Sequence, residues 1–306
     1  MPITIDNSNR KIIFCILAHD DPIMLNLLLE KLDDFDCFVH LDKKSFHSMY
    51  SSLSYRNQKV KVIPFEQSIK VHWGGFSVVR SMILLAESAI KIEHNEKLLL
   101  VFLSGHCYPL KPVNEIESEF RNSCGDYIAY STHSRETSEF QFRFSRYWNF
   151  DIFPSMPDSK LMRIINSGFR RMLSIILTNR ITKETILPAS GSQWIALRSE
   201  VFQELIKNSN DKKFKFLKHV FAPDEIFFHT LYANSKYSNQ NQNYGEKKIN
   251  QKGTYQLANF HLIHPTLTKI YSIEDFNEII KSKNLFLRKV NSDKSIELIH
   301  ALNTKS

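Results

Sequence analysis

Apolar residues along this chain fall into short dense runs, separated by stretches in which they recur every three or four positions. The runs Lys11–His19 (KIIFCILAH), Cys37–Asp42 (CFVHLD), Val60–Phe65 (VKVIPF), Lys97–Gly105 (KLLLVFLSG) and Asp126–Ser131 (DYIAYS) have the length and composition of strands. Between them Asp21–Leu32, Phe76–Ile92 and Pro112–Arg121 carry helical spacing. Strands alternating with helices of this length imply βαβ units and a largely parallel sheet. Such sheets bind ligands beyond the carboxyl ends of their strands, which directs attention to His19 and Asp20, Asp42 and Lys43, and Ser104, Gly105 and His106. One polar strand end is ordinary; their concurrence points to a ligand.

From about Thr132 to Lys183 the pattern turns aromatic and basic (EFQFRFSRYWNF) and then helical, as expected of an insertion beside the sheet. A strand follows at Ser192–Arg198, then helices at Glu200–Lys207 and Asp224–Ala233, a polar stretch at Asn234–Gly253 that reads as a mobile loop, a strand at Tyr255–His264 and a helix at Ser272–Lys283. One domain over residues 1–306 is expected: a nucleotide-binding half at 10–131, the insertion at 132–183, and an acceptor and catalytic half at 184–306. Within the insertion, Lys160–Arg180 places Leu161, Ile165, Phe169, Met172, Leu173 and Ile176 on one helical face, opposite Lys160, Arg163, Ser167, Arg170, Arg171 and Ser174. That helix is expected to rest on an anionic membrane near a lipid-linked acceptor; the alternative packs its apolar face on the protein's own core.

The 306 residues are 42% hydrophobic and 24% charged, an ordinary globular balance, with a formal net charge of +8 that favours anionic partners without choosing among them. Cys15, Cys37, Cys107 and Cys124 show neither a CxxC pair nor zinc-ligand spacing, so buried free thiols are expected. No window approaches the ~20 apolar residues that cross a bilayer; a cytoplasmic or peripheral protein is expected.

The candidate chemistry is narrower. Eight glycines form no GxGxxG and no GxxxxGK, which argues against dinucleotide and P-loop sites. Asp34-Phe35-Asp36 has the DxD form of a metal-diphosphate motif but precedes its strand, so it reads as a solvated turn. Ala222-Pro223-Asp224-Glu225 reads as a helix start that either simply caps its helix or presents a carboxylate as general base. Leu285-Phe286-Leu287-Arg288-Lys289 places two cations after an apolar anchor, as surface ion pairs or as charge for a diphosphate.

In order, these pieces resemble the core-2 and I-branching β-1,6-N-acetylglucosaminyltransferase family, glycosyltransferase family 14, which includes the peptide O-xylosyltransferases. The resemblance runs from Ile12 to about Lys289. It rests on Val39-His40-Leu41-Asp42-Lys43-Lys44, Trp73-Gly74-Gly75-Phe76-Ser77, Phe102-Leu103-Ser104-Gly105-His106-Cys107-Tyr108-Pro109-Leu110-Lys111, Ser190-Gly191-Ser192-Gln193-Trp194 and Ala222-Pro223-Asp224-Glu225. It implies a GT-A α/β fold, a Rossmann-like mixed sheet flanked by helices, and inverting transfer from a UDP-sugar without a divalent metal or other cofactor. Glu225 inherits the catalytic base. His19, Asp42, Trp73, Ser104 and Gly105 fall on the donor side. Lys289, beside Arg288, matches a basic residue that contacts the diphosphate, with Lys269 or His264 as the second cation. We assign His106, Arg143, Tyr147, Trp194 and Asp224 to the acceptor; His106 departs from the family, where relatives often carry Asp.

The resulting expectation is transfer of GlcNAc, or secondly xylose, from a UDP-sugar to a hydroxyl of a glycan or lipid-linked glycan acceptor. Lacking the Golgi anchor and stem of animal members, the chain resembles a bacterial enzyme of surface polysaccharide or lipooligosaccharide synthesis, peripheral at the inner face of the cytoplasmic membrane. The rival is a non-catalytic glycan-binding or anionic-surface-binding protein on the same fold, which would have lost Glu225 or the phosphate cations. No nucleic-acid partner is expected, because the basic residues are dispersed and form no recognisable motif.

Overall fold

Leu98–Ser104 is buried at every position, as a strand must be when helices cover both faces of its sheet. The computed structural model describes residues 7–55, 57–94, 97–157, 159–177, 186–249 and 254–305. In chain order the elements are β1 (Lys11–Ala18), α1 (Pro22–Lys31), β2 (Asp36–Leu41), α2 (Phe46–Ser51), β3 (Val60–Val62), α3 (Ser77–Ile92), β4 (Leu98–Ser104), β5 (Cys107–Pro109), α4 (Val113–Arg121) and β6 (Tyr130–Thr132). Then come α5 (Ser138–Phe140), α6 (Lys160–Ile176), β7 (Ala189–Gly191), β8 (Ala196–Arg198), α7 (Ser199–Ser209), α8 (Phe227–Ala233), β9 (His261–Ile263), α9 (Phe276–Ile279), β10 (Phe286–Arg288) and α10 (Ile296–Lys305).

The main sheet has the order β3-β2-β1-β4-β8, parallel except for β8, which runs antiparallel to β4. This is the expected mixed α/β sheet flanked by helices. Strand periodicity of two divides its side chains between two cores. Ile13, Cys15, Leu98, Leu100 and Phe102 pack with residues of α3, α7 and α8; Ile12, Phe14, Ile16, Leu99, Val101 and Leu103 pack with residues of α1 and α4. Three parallel strands, β2, β1 and β4, therefore end on one edge at Leu41, Ala18 and Ser104.

Local chemistry fixes several boundaries. Asp21 caps α1, its carboxylate accepting from the Met24 N–H at 3.1 Å, with Pro22 in the first turn. The Val60–Phe65 strand stops at Val62 because Pro64 has no N–H to offer a ladder. Of the Ser192–Arg198 strand only Ala196–Arg198 forms one, as β8; β7 precedes Ser192 and pairs in a different sheet. A Cβ at Gly191 would lie 2.3 Å from the Ala129 carbonyl oxygen and 2.4 Å from His229, so that approach requires glycine. The Asp126–Ser131 run contributes only isolated bridges at Asp126 and Tyr127 before β6. Tyr255–His264 opens as a 3₁₀ turn at Thr254–Leu257 and becomes strand only at β9; Ser272–Lys283 is a 3₁₀ turn capped by Ser272 and Asp275, then α9.

Six of these elements have no counterpart in the pattern reading: α2, β5, α5, β7, β10 and α10. The largest revision is Leu285–Lys289, which forms the middle strand of a second sheet, β5-β10-β9, with α10 after it. The polar stretch from Asn234 is tied down where it is described. The buried Asn241 amide donates to the Ile128 and Gly245 carbonyls, each at 2.9 Å, and accepts from the Gly245 N–H at 2.7 Å; side-chain amides here do the work of a ladder. Residues 250–253 of that stretch lie outside the described residues. Asp36 is no solvated turn either, since it pairs with Lys11 and Lys61, each at 2.9 Å. Cys15, Cys37 and Cys107 are buried free thiols, whereas Cys124 is exposed. No helix among the described residues is long and apolar enough to cross a membrane.

Candidate active site

Beyond the ends of β1, β2 and β4 lies a cavity of about 400 Å³. Its floor comes from the strand ends, through His19, Asp42, Ser104 and His106; Trp73 and Gly74 stand on one side, and Trp194, Asp224, Glu225 and Arg288 on another. The structure thus brings together nine of the candidate residues.

On the floor, Asp42 is buried and its Oδ1 accepts from the Lys44 N–H at 2.9 Å, while Lys44 Nζ lies 3.3 Å from Oδ2. His40, two positions earlier on the same face of β2, accepts the Ile69 N–H at 2.9 Å; burial pushes its pKa down to about 4, so it is neutral. Trp73 is 60% exposed and meets Phe150 and Phe221 edge-on. Gly74 has φ +75°, and a Cβ on Gly75 would lie 2.2 Å from Asp151 Oδ1. That carboxylate accepts the Ser77 N–H at 3.0 Å, so the insertion both supports the Trp73 turn and caps α3.

Ser104, at the end of β4, receives a short hydrogen bond from Arg288, whose guanidinium stacks 4.5 Å over the Trp194 ring. One face of Trp194 is therefore taken by Arg288 rather than free for a sugar. Arg288 and Lys289 form no ion pair with a carboxylate among the described residues. Lys289 does not line the cavity, yet its charge acts on His19 and Asp20 at the floor. This edge of the cleft carries unneutralised positive charge, the requirement for binding a diphosphate.

Opposite lies the Pro-Asp-Glu turn. Ala222 takes φ 51°, a conformation costly for a residue with a Cβ, immediately before the 3₁₀ turn Pro223–Glu225. α8 starts only at Phe227, so Glu225 precedes the helix rather than opening it. Arg143 Nη2 donates to Glu225 Oε2 at 2.8 Å. Arg143 is itself buried on a five-residue π-helical turn, Gln141–Ser145, a distortion often found where a side chain is aimed at a site. Burial pushes the Glu225 carboxyl above its usual range, and the charge and hydrogen bond of Arg143 oppose that push. A helix terminus on its own would favour the ionised form of Glu225; burial reverses that direction. Asp224, assigned to the acceptor, lines the same cleft, its carboxyl pushed up to about 7 by burial and by the charge of Glu225.

The remaining candidates lie outside the cavity lining. Gly105 packs under the floor, where a Cβ would come 3.2 Å from that of Ala18. Tyr147 stacks on His219 with ring centroids 4.3 Å apart. Lys269 is paired with Asp275 at 2.5 Å and His264 hydrogen-bonds Thr266 at 2.9 Å, so neither supplies a second cation to the cleft. His106 links two segments: Nδ1 contacts the Val290 carbonyl at 2.8 Å and Nε2 contacts Asp20 Oδ1 at 2.7 Å. That hydrogen bond holds the Asp20 carboxyl below its usual range. Among the described residues His19, Asp20 and His106 are the one group able to hold a metal ion, their ligand atoms lying within 4.8 Å of one another.

Sequence reasoning gave no role to His72, Gln193 or Pro154–Met156, all of which line the cavity. His72 precedes one motif already singled out, and Gln193 lies inside another. Pro154–Met156 sits in the insertion, and no periodicity announces where an insertion folds back.

The sequence model of the Core-2/I-Branching enzyme family matches residues 13–280. Xylosyltransferase sqv-6 of Caenorhabditis briggsae is 24% identical over 204 residues, covering 65% of this chain and 23% of that protein. Human xylosyltransferase 1 is 23% identical over 203 residues, covering 65% and 19%. The chain thus spans less than a quarter of the length of these relatives. Among solved structures, mouse xyloside xylosyltransferase 1 in its apo form aligns with 93% of this chain and 99% of its own at a TM-score of 0.35 and 12% identity. The 4-diphosphocytidyl-2C-methyl-D-erythritol synthase of Anaerococcus prevotii aligns with 67% and 78% at 0.32 and 9%. Because the family match runs over most of its length, the chain belongs to the Core-2/I-branching enzyme family of glycosyltransferases.

Proposed function

We propose that this chain transfers a sugar from a UDP-sugar to a hydroxyl of a glycan acceptor, with inversion and without a divalent metal. The observation that carries the reading is one cleft lined by a carboxylate pair on one side and by Arg288 on another, above the strand ends where an α/β sheet binds its ligand. In this mechanism Glu225, oriented by Arg143, takes the proton of the acceptor hydroxyl. The oxygen forms its bond to the anomeric carbon on the face opposite the departing UDP, and the bond to the diphosphate breaks with its electron pair. Arg288 and Lys289 stabilise the charge that develops there. GlcNAc is the first donor sugar to test and xylose the second.

A lipid-carried glycan, as in surface polysaccharide or lipooligosaccharide assembly, is the acceptor class this reading favours, because the cleft wall at Met156 leads directly into α6. Three buried free thiols fit a reducing compartment and hence the cytoplasmic face of a membrane.

The reading is tested with a panel of UDP-sugars, following thermal stabilisation and slow donor hydrolysis, neither of which needs the acceptor. The true donor raises the melting temperature, and Lys289→Ala weakens donor use about 10²-fold or more. Activity persists in excess EDTA. Loss of activity in EDTA, restored by manganese, contradicts the metal-free mechanism and moves attention to His19, Asp20 and His106.

A further inference from the structure

Helix α6 has its sides reversed. The residues it buries are Asn166 and Ser174, and between them Arg170 donates to the Phe153 and Pro154 carbonyls at 2.7 and 2.9 Å. The Asn166 amide adds a hydrogen bond to the Pro154 carbonyl at 3.1 Å. The polar stripe faces the protein, and the apolar one faces out: Leu161 is 65% exposed, Ile164 71%, Ile175 72% and Ile176 66%. The apolar face is therefore not packed on the protein's own core, and Arg170, expected on the solvent side, is engaged inward. In the loop before the helix Met156 and Ile152 are 73% and 66% exposed, and Met156 lines the cleft.

We propose that this face of α6 docks in the interface of an anionic lipid bilayer, and that docking acts on the wall of the cleft. Charge selects the occupant. Lys160–Leu177 contains no acidic residue, and Lys160, Arg163 and Arg171 are exposed; by helical spacing Lys160 and Arg171 flank the apolar stripe, as in helices that lie flat on anionic membranes. A second copy docked on the same face would oppose these cations with like charge and bring no carboxylate from its own helix. The helix is too short and too polar on its inner side to span the bilayer. Lying flat, it keeps Asn166 and Arg170 on the carbonyls of Phe153 and Pro154. Pro154–Met156 is also cleft wall, so the surface that meets lipid and the wall that meets substrate are one hydrogen-bonded unit.

Docking stands without the transferase reading, whereas its effect on catalysis rests on it, and the experiment separates the two. Flotation is measured with phosphatidylcholine vesicles and with vesicles containing phosphatidylglycerol. Binding is expected only to the anionic vesicles, weakening as salt is raised and falling roughly tenfold or more in Lys160→Glu/Arg171→Glu. Ile164→Ser/Ile175→Ser is expected to lose binding while keeping the wild-type melting temperature and donor hydrolysis in solution, since neither residue touches the cleft. Anionic vesicles raise donor turnover by the wild type but not by this variant. Two results overturn docking: no binding to anionic vesicles, or a stable dimer in solution that Ile164→Ser/Ile175→Ser dissociates. Vesicle binding without change in turnover overturns the coupling to the wall. Vesicle binding by a chain that uses no UDP-sugar defeats the transferase reading and leaves docking intact.

Discussion

Asp224 and Glu225 share one half-buried turn, so their charges compete, and that competition makes pH the most sensitive probe at the residue scale. Transfer requires ionised Glu225, which burial resists and Arg143 favours. The acid limb of the pH–rate profile is therefore expected above the ordinary carboxylate range. In Arg143→Met it moves to still higher pH, because the variant loses a charge and a hydrogen bond that both lower the Glu225 pKa. An unmoved limb contradicts the orienting role of Arg143. Asp224 is read from stability. Its pKa is about 7 when folded against 3.8 ordinarily, so the folded protein binds a proton that the unfolded chain has released between those values. Its contribution to stability is full below about pH 4 and is lost as pH rises through about 7. Asp224→Asn is expected to flatten the fall in melting temperature across that window, and an unchanged slope rejects the assignment.

At the scale of elements, α3 shows how the insertion serves the cleft. Asp151 caps its first turn and leaves room only for glycine at position 75, so Trp73 is held where the insertion, the helix and the cleft meet. Asp151→Ala is expected to cost about 1 kcal/mol in denaturant unfolding and to weaken donor binding through Trp73; no change in either contradicts the coupling. The same elements show what the sequence makes legible. β1, β2 and β4 were readable as dense apolar runs, and α1, α3 and α4 because each is long enough to keep one helical period. β5 and β10 have three residues each, too few to establish a period, and their pairing spans a large part of the chain. Arg288 could be named as a candidate cation from its neighbours. That it stacks on Trp194 follows only from β10 carrying it there. For α6 the pattern gave the amphipathic helix but not which side faces in, because hydrogen bonds from Asn166 and Arg170 to the loop before it outweighed the burial of its apolar face.

Over the whole molecule, one polarity organises the rest. Parallel β1, β2 and β4 deliver their polar ends to a single edge; the insertion and the Pro-Asp-Glu turn close over that edge, and β10 brings cations to it. A sheet of the opposite direction would scatter His19, Asp42 and Ser104. The buried pair Arg198–Asp126, with contacts of 3.0 and 2.8 Å, joins β8 to the segment before β6 and receives the Tyr232 hydroxyl from α8, fixing the half that carries Glu225 against the half that forms the floor. The central claim is that Glu225 is the base of sugar transfer in the cleft so formed. The most direct measurement sets the single-turnover transfer rate of Glu225→Gln beside its donor affinity by calorimetry. The variant keeps the shape of the side chain but cannot accept the proton, so the account predicts a rate lower by about 10²-fold or more with donor affinity nearly unchanged. Transfer by Glu225→Gln at a near-native rate contradicts it.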